Sequence, residues 1–246
     1  MKYNVIFFDV DDTLFDFSMS EKNALHKVFE DFGLPTGEVD YKNSYKEISK
    51  VLWRELEQGT TTLSELGVER FRRLFLEHNL EIDAATCNSA YLTYLGKEVH
   101  LVPGAVDLCN SLTGCRLAII TNGFANVQKS RIEGSPLSNT FEHLIISEEA
   151  GFQKPDQGIF EYAFSKLKIT DKTKVLIVGD SLTSDIQGGI NYGIDTCWFN
   201  PNGKENHIGI QPTYEIRELT EIIEIVGEKG DLHNIYKNIN CERTIF

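Results

Sequence analysis

Short apolar runs without alternating polar positions mark the strands in this sequence. Four of them are followed by polar residues of unusual chemical character, and a weaker fifth lies nearer the C-terminus. The runs are Val5–Phe8, Leu117–Ile120, Leu144–Ile146, Val175–Val178 and Thr196–Phe199. Continuous apolar strands are expected where both faces of a parallel sheet are covered by other elements.

Helical patterns of crossover length lie between the predicted strands. Pro155 suits the first turn of one of these helices, and Gly193 is expected to end another. Alternating strands and helices predict an α/β fold, a Rossmann-like doubly wound parallel sheet. Ligands of such folds bind beyond the carboxyl ends of the strands, where the polar residues of this sequence fall.

Residues 16–100 carry helical periodicity and no strand pattern. A capping box of Ser18 and Glu21 is expected to begin the first of four helices, and Gly33 to end it. An all-helical stretch after the first strand predicts a cap inserted into the sheet domain. The predicted division is an α/β catalytic core of 1–15 plus 101–226, a helical cap of 16–100, and a C-terminal tail of 227–246 without an assigned role.

Composition narrows the class of protein. The 246 residues hold 24 Lys and Arg against 37 Asp and Glu, a net charge of −13, which disfavours a nucleic-acid duplex or an anionic membrane as partner. No apolar run approaches the roughly 18–20 residues of a membrane span, and aspartates interrupt the N-terminus where a signal peptide would stay apolar. Five cysteines without CxxC spacing indicate reduced, mostly buried thiols in a cytoplasmic protein. The glutamate-rich stretch 205–228 is interpreted as the solvated face of a helix.

Two acidic clusters follow predicted strands. Asp9 and Asp11 come directly after the first strand, and Asp180 and Asp185 follow the fourth. Carboxylates at such positions can simply form a turn or cap a helix. If both loops face one crevice, the same residues supply an oxygen-rich site for Mg²⁺ and a carboxylate nucleophile with a neighbouring acid/base.

Two further segments carry possible phosphate ligands. Thr121, Asn122 and Gly123 supply a hydroxyl and backbone N–H groups after the second strand, although an ordinary turn has the same composition. Lys154 precedes a crossover helix, where its ammonium could neutralise a phosphoryl group, although a surface lysine is the simpler interpretation.

Taken in order, these segments resemble the four motifs of the haloacid dehalogenase (HAD) superfamily of phosphohydrolases. The resemblance covers residues 1–15 and about 101–200, and the helical insert is placed like the first-position cap of that superfamily. The matching motifs are D-x-D-x-T-L at Asp9–Leu14, the Thr121 motif, Lys154, and G-D-S-x-x-x-D at Gly179–Asp185.

The resemblance implies a role for each residue. Asp9 would be the nucleophile that takes the phosphoryl group, and Asp11 the acid that protonates the leaving alkoxide and then activates water. Asp9, the backbone carbonyl of Asp11 and Asp180 would hold Mg²⁺. The remaining expected roles are phosphoryl binding by Thr121, the Asn122–Gly123 backbone and Lys154, and orientation of Lys154 or a metal-bound water by Asp185.

The expected activity is Mg²⁺-dependent hydrolysis of a small-molecule phosphate monoester through an aspartyl phosphate. The resemblance also argues against a dehalogenase. In the family pattern dehalogenases lack the second aspartate, here Asp11, because their reaction has no leaving alkoxide that needs a proton. A sugar-phosphate mutase, a phosphatase of phosphoglycolate or small sugar phosphates, and a non-catalytic regulatory protein stay open. The first motif and the cap resemble bacterial nucleotidases of pyrimidine and non-canonical nucleoside 5′-monophosphates. Aromatic residues that could stack on a base are Phe15, Phe17, Trp53, Tyr91 and Tyr94, although aromatic residues at helical spacing usually pack in a core. The oligomeric state is not legible from the sequence.

Overall fold

A six-stranded parallel sheet forms the centre of the molecule. The structure is a computed structural model that describes residues 1–34 and 41–227. Its strands are β1 (Val5–Phe8), β2 (Arg116–Thr121), β3 (His143–Ile146), β4 (Val175–Gly179), β5 (Asp195–Phe199) and β6 (Tyr214–Ile216). Their order is β3-β2-β1-β4-β5-β6, so β1 and β4 lie in the middle. The predicted α/β, doubly wound parallel architecture is confirmed, as are the five predicted strands.

Helices cover both faces of the sheet, which explains why β1 and β4, its two central strands, carry no polar side chain. They are α5 (Ala105–Ser111), α6 (Ala125–Glu133), α7 (Ser147–Ala150), α8 (Gln157–Leu167), α9 (Gln187–Tyr192) and α10 (Ile222–Val226), with a π-helical turn at Leu182–Ile186 and 3₁₀ turns at Lys172–Lys174 and Leu219–Glu221. Ile6 and Phe8 face the core that includes α5 and α10, whereas Val5 and Phe7 face the core of α8. One strand therefore contributes to two hydrophobic cores.

Four further helices lie between β1 and α5 in the described residues: α1 (Phe17–Asp31), α2 (Tyr41–Glu57), α3 (Leu63–Glu77) and α4 (Ala84–Leu95). Their buried faces form a core of their own, in which Leu25, Tyr45, Phe71 and Tyr91 meet. The all-helical insert is as predicted. Two neighbouring chain segments join it to the sheet, since Asp16 N donates to the His100 carbonyl at 2.8 Å. The boundaries of the core and cap domains stay a prediction.

Three local predictions are wrong. The capping box of Ser18 and Glu21 does not form, because Asp16 caps α1 by accepting a hydrogen bond from Met19 N at 2.8 Å. Pro155 lies before its helix rather than in the first turn, since Asp156 is the N-cap of α8. The acidic stretch 205–228 is no single solvated helix, because within its described part, up to residue 227, it forms β6, a 3₁₀ turn and the short α10.

Other features agree with expectation as far as the described residues go. Gly33 follows α1 at a φ of +65°, the left-handed conformation that ends helices, and Gly193 ends α9 at +84°. Four cysteines are free thiols, three of them buried, and Cys241 lies outside the described ranges. Of the predicted tail, residues 228–246 also lie outside them. No helix in residues 1–34 or 41–227 is long and apolar enough to cross a bilayer.

Candidate active site

The polar residues predicted at the strand ends converge on one cavity of about 280 Å³. Asp9 and Asp11 follow β1, Thr121 ends β2, and Asp180 follows β4. The parallel arrangement brings these ends to the same edge of the sheet. The cavity is lined by Asp9, Asp11, Asp12, Thr121, Asn122, Gly123, Lys154, Asp180, Ser181, Ser184 and Asp185 from the core, and by Phe17, Trp53 and Glu57 from the helical insert.

Lys154 joins two of the predicted carboxylates. Its side chain is 1% exposed, and Nζ donates to Asp9 Oδ1 at 2.6 Å, to Asp185 Oδ1 at 2.7 Å and to the Ile120 carbonyl at 2.6 Å. Burial works to lower the pKa of Lys154, but Asp185 and Asp9 raise it above its ordinary value. The ammonium therefore stays charged, and all three of its protons are used.

The pKa of Asp9 moves away from its ordinary value in the same cluster. Burial raises it, Lys154 opposes that rise, and the charges of Asp185 and Asp11 add to it. Asp185 is fixed at both oxygens, because Oδ2 accepts from Ser181 N at 3.0 Å while Oδ1 accepts from Lys154. The carboxylates of Asp9, Asp11 and Asp185 outnumber the Lys154 ammonium, and a bound cation would offset this excess of negative charge.

Asp180 supplies the clearest indication of a cation site. Its carboxylate, with those of Asp9 and Asp185, contributes one of three oxygens that lie within 4.8 Å of one another. No donor among the described residues reaches the Asp180 carboxylate, while Trp198 Nε1 holds its backbone carbonyl at 2.8 Å. Burial and the charges of Asp185 and Asp9 raise the pKa of Asp180 well above its ordinary value. Carboxylate oxygens are the ligands that Mg²⁺ prefers, so the donor set fits that ion.

The segment after β2 is organised around Lys154. The Asn122 side chain donates to the Lys154 carbonyl at 2.9 Å and accepts from Lys154 N at 2.8 Å, so it fixes the lysine backbone. Thr121 Oγ1 accepts from Gly123 N at 3.3 Å and from Gln128 Nε2 at 3.2 Å. The Thr121 hydroxyl and the Gly123 backbone line the cavity beside Asp9, where phosphoryl oxygens would need donors.

Asp11 is held by two residues that the sequence pattern did not single out. Arg131 Nη1 binds Asp11 Oδ1, and Gln128 Nε2 donates to Asp11 Oδ2 at 2.7 Å. Both holders lie on α6 and are buried, at 0% and 1% exposure. A weak signal for them exists in the sequence, because they stand beside Val127 and Ile132, apolar residues that are buried in the hydrophobic cores.

Two of the five aromatic candidates line the cavity. Phe17 and Trp53 face the acidic residues from the helical insert. Phe15 and Tyr91 are fully buried in hydrophobic cores, and the Tyr94 hydroxyl binds Asp31, outside the cavity lining. Phe15 and Tyr91 therefore follow the alternative of core packing, and Tyr94 does not line the cavity, so none of the three is placed to stack on a base there.

Comparison with known proteins places this geometry in a family. The family model of haloacid dehalogenase-like hydrolases matches residues 3–193. A Bacillus subtilis protein named as a HAD-hydrolase, YfnB, is 40% identical over 98% of this chain and 99% of its own length. Its crystal structure, bound to magnesium and described as revealing interdomain movement, superposes with a TM-score of 0.87 at 41% identity over 93% of this chain and 100% of that one.

Two further relatives carry the name of an activity. Pyrimidine 5′-nucleotidase YjjG of Escherichia coli is 36% identical over 92% of this chain and 99% of its own length. Pyrimidine 5′-nucleotidase PynA of Streptococcus pneumoniae is 38% identical over 93% of this chain and 97% of its own length.

Proposed function

This chain belongs to the haloacid dehalogenase-like hydrolases, and we propose that it hydrolyses nucleoside 5′-monophosphates through a phosphorylated Asp9, with Mg²⁺ as cofactor. The phosphohydrolase class follows from the family and from relatives named as nucleotidases. The observation that carries the substrate is the cavity itself. Its lining combines the acidic cluster and Lys154 of the sheet domain with Phe17 and Trp53 of the helical insert.

The contact between Asp9 and the Lys154 ammonium supports Asp9 as the nucleophile. Lys154 holds Oδ1, which leaves the second oxygen to attack phosphorus while the bond to the ester oxygen breaks. Asp11, protonated when the ester binds, gives that proton to the leaving alkoxide, which departs as the nucleoside alcohol, and is left as the carboxylate that pairs with Arg131. Asp11 then takes a proton from water, whose oxygen attacks phosphorus and releases inorganic phosphate from Asp9.

A phosphate dianion repels a carboxylate nucleophile, so the site must supply positive charge. Asp9, the Asp11 backbone carbonyl and Asp180 would hold Mg²⁺, which neutralises phosphoryl charge when it is bound. Lys154 is fixed by Asp185 at 2.7 Å and by the Asn122 side chain, so its ammonium stays beside Asp9. Thr121 Oγ1 and the Asn122–Gly123 backbone would bind the phosphoryl oxygens.

The aromatic pair supports a nucleobase as the group beyond the phosphate. Phe17 begins α1 and Trp53 lies on α2, so both belong to the helical insert rather than to the sheet. Both side chains are half-buried and line the cavity, which leaves ring surface available for stacking. Glu57, one turn after Trp53, adds a carboxylate that can accept hydrogen bonds from a ribose.

The test is a substrate panel assayed with Mg²⁺ and with a chelator. The panel holds pyrimidine and purine nucleoside 5′-monophosphates, phosphoglycolate and small sugar phosphates, and Asp9→Asn is the control variant. We expect Mg²⁺-dependent release of phosphate from nucleotides and none from Asp9→Asn. Activity that survives Asp9→Asn would refute the mechanism. Brisk turnover of a sugar phosphate with little turnover of nucleotides would refute the substrate, and a phosphate moved within the sugar would identify a mutase.

A further inference from the structure

Arg131 is a fully buried cation outside the four motifs. Its guanidinium binds Asp11 Oδ1 through Nη1 and the Glu98 carbonyl through Nε at 3.2 Å. It lies 4.9 Å from the centre of the Phe15 ring, and Nη2 lies 3.5 Å from Ser20 Oγ. A buried charge is costly unless it is paired, and the Asp11 carboxylate is its ion-pair partner within the described residues.

Gln128 completes the arrangement from the same helix. Its Nε2 donates to Asp11 Oδ2 at 2.7 Å and its Oε1 accepts from Arg131 Nη1 at 3.3 Å. Arg131 and Gln128 therefore each hold one oxygen of Asp11 and also hold each other. This triangle fixes the plane of a carboxylate whose side chain is 29% exposed and lines the cavity.

The surroundings of Arg131 fix its own position. Phe15 belongs to the segment that leaves the sheet, Ser20 lies on α1 at the start of the helical insert, and Glu98 belongs to the segment that returns to the sheet. Arg131 itself stands on α6 of the core. Its guanidinium is thus bounded by core and by both connecting segments, which restricts the direction in which it can present Nη1.

We propose that Arg131 and Gln128 are positioning residues, which aim the Asp11 carboxylate at the ester oxygen of the substrate. This inference rests on the proposed role of Asp11 as the group that protonates the leaving alkoxide. A proton transfer of this kind requires the donor and acceptor oxygens to come within about 2.6–3.2 Å. A carboxylate free to rotate would meet that condition in a small fraction of encounters.

The consequence is a dependence on the leaving group. An alkoxide leaving from a nucleotide needs a proton, whereas 4-nitrophenolate leaves from 4-nitrophenyl phosphate without one. The value of kcat/KM reports the steps up to the first irreversible bond cleavage. If the Asp11 carboxylate loses its orientation, kcat/KM should therefore fall for the nucleotide and stay nearly unchanged for the aryl phosphate. A merely structural role would lower both values together.

The experiment compares Gln128→Leu and Arg131→Lys with wild type on both substrates. We expect kcat/KM to fall about 100-fold for the nucleotide, the low end of the usual contribution of general acid–base catalysis, and less than about 5-fold for the aryl phosphate. Asp11→Asn should show the same selective loss. Arg70→Lys is the matched control, because Arg70 is also buried but binds Asn88 and the Gly67 carbonyl.

Equal losses on the two substrates, or no loss in Gln128→Leu, would overturn the proposal. Gln128→Leu keeps the ion pair of Arg131 with Asp11, so it tests the orientation of the carboxylate even if Arg131→Lys fails to fold. It also removes a hydrogen bond to Thr121 Oγ1, and that loss acts on both substrates alike, so the test is the additional loss on the nucleotide. Thermal melting of each variant shows whether a loss of activity comes from failure to fold or from a change in the orientation of Asp11. The proposed substrate is tested separately, because the comparison can use any alkyl phosphate that the wild type hydrolyses. Wild-type failure on nucleotides would thus refute the substrate and leave the positioning test intact.

Discussion

Replacing Lys154 with methionine removes one positive charge from the centre of the site and keeps a side chain of similar length. Lys154 Nζ makes three hydrogen bonds, two of them to the carboxylates of Asp9 and Asp185. In Lys154→Met these carboxylates would face each other in a buried space without the cation between them. Removing one partner of a buried ion pair costs about 3–5 kcal/mol of unfolding free energy, and we expect a loss in that range.

The activity should fall for a related reason. Lys154 is the positive charge nearest the Asp9 nucleophile, and deletion of one preorganised donor typically costs about 100- to 1,000-fold in kcat. Asp185→Asn should relieve part of the repulsion in the variant. Lys154→Met/Asp185→Asn should therefore be more stable than the sum of the two single changes indicates, by about 1 kcal/mol or more, while its activity stays low.

Urea unfolding in a chelator measures the free energies, and phosphate release in Mg²⁺ measures kcat. Added Mg²⁺ should raise the melting temperature of Lys154→Met more than that of the wild type, because the ion restores a positive charge beside Asp9 and Asp180. A loss of less than about 1 kcal/mol in the single variant, or strict additivity in the double variant, would refute the electrostatic interpretation.

Two other predictions concern the helical insert. Trp53→Ala should raise KM for nucleotides about ten-fold or more, because stacking on a base contributes about 1–3 kcal/mol; an equal rise for 4-nitrophenyl phosphate would contradict a stacking role. Burial alone would raise the pKa of Glu98, but Lys27, Asn23 and His100 lower it to about 2. Since the pKa of the Glu98 carboxyl in the unfolded chain is near 4.5, the stability that Glu98 contributes is present above pH 4.5 and is lost as the pH falls towards 2. Glu98→Gln should cost about 2 kcal/mol at neutral pH, allowing for the solvent exposure of Lys27, and should flatten the acid limb of the unfolding curve; an unchanged acid limb would disprove the assignment.

The sheet was predictable because its signal is local and redundant. Four apolar runs each lie within a strand, and a strand covered on both faces favours apolar residues at consecutive positions. β6 gave no such signal, since its three residues include the exposed Glu215 and it lies at the sheet edge. Its pairing with β5 depends on neighbours that only the folded chain supplies.

The start of α1 shows how local competition defeats a sequence motif. Asp16 and Ser18 are both good N-cap residues, two positions apart. Asp16 takes the N-cap position, and Asp12 also accepts hydrogen bonds from Phe17 N and Ser18 N. Two aspartates therefore satisfy the free N–H groups before a Ser18 cap can form. The choice depends on where the chain leaves the sheet, which residue spacing does not encode.

The candidate site was predictable in its motifs and not in its supports. Asp9, Asp11, Asp180 and Lys154 were identified as one set through family resemblance, and the fold brings them to one cavity. For Arg131 the sequence offers only a weak signal, its place beside the buried Ile132 on a short helix. Its importance arises from total burial against Asp11, a contact across 120 positions of the chain.

The central place of β1 in the sheet also has a consequence for biosynthesis. β1 leaves the ribosome before its hydrogen-bonding partners in β2 and β4, which lie about 110 and 170 positions further along the chain. The helices of the insert contact one another, α1 with α4 and α2 with α3, so they can pack before either partner strand exists. An apolar strand left unpaired for that long is exposed to aggregation. A nascent chain that pauses after the insert would therefore carry a folded helical unit tethered to a segment that still needs protection.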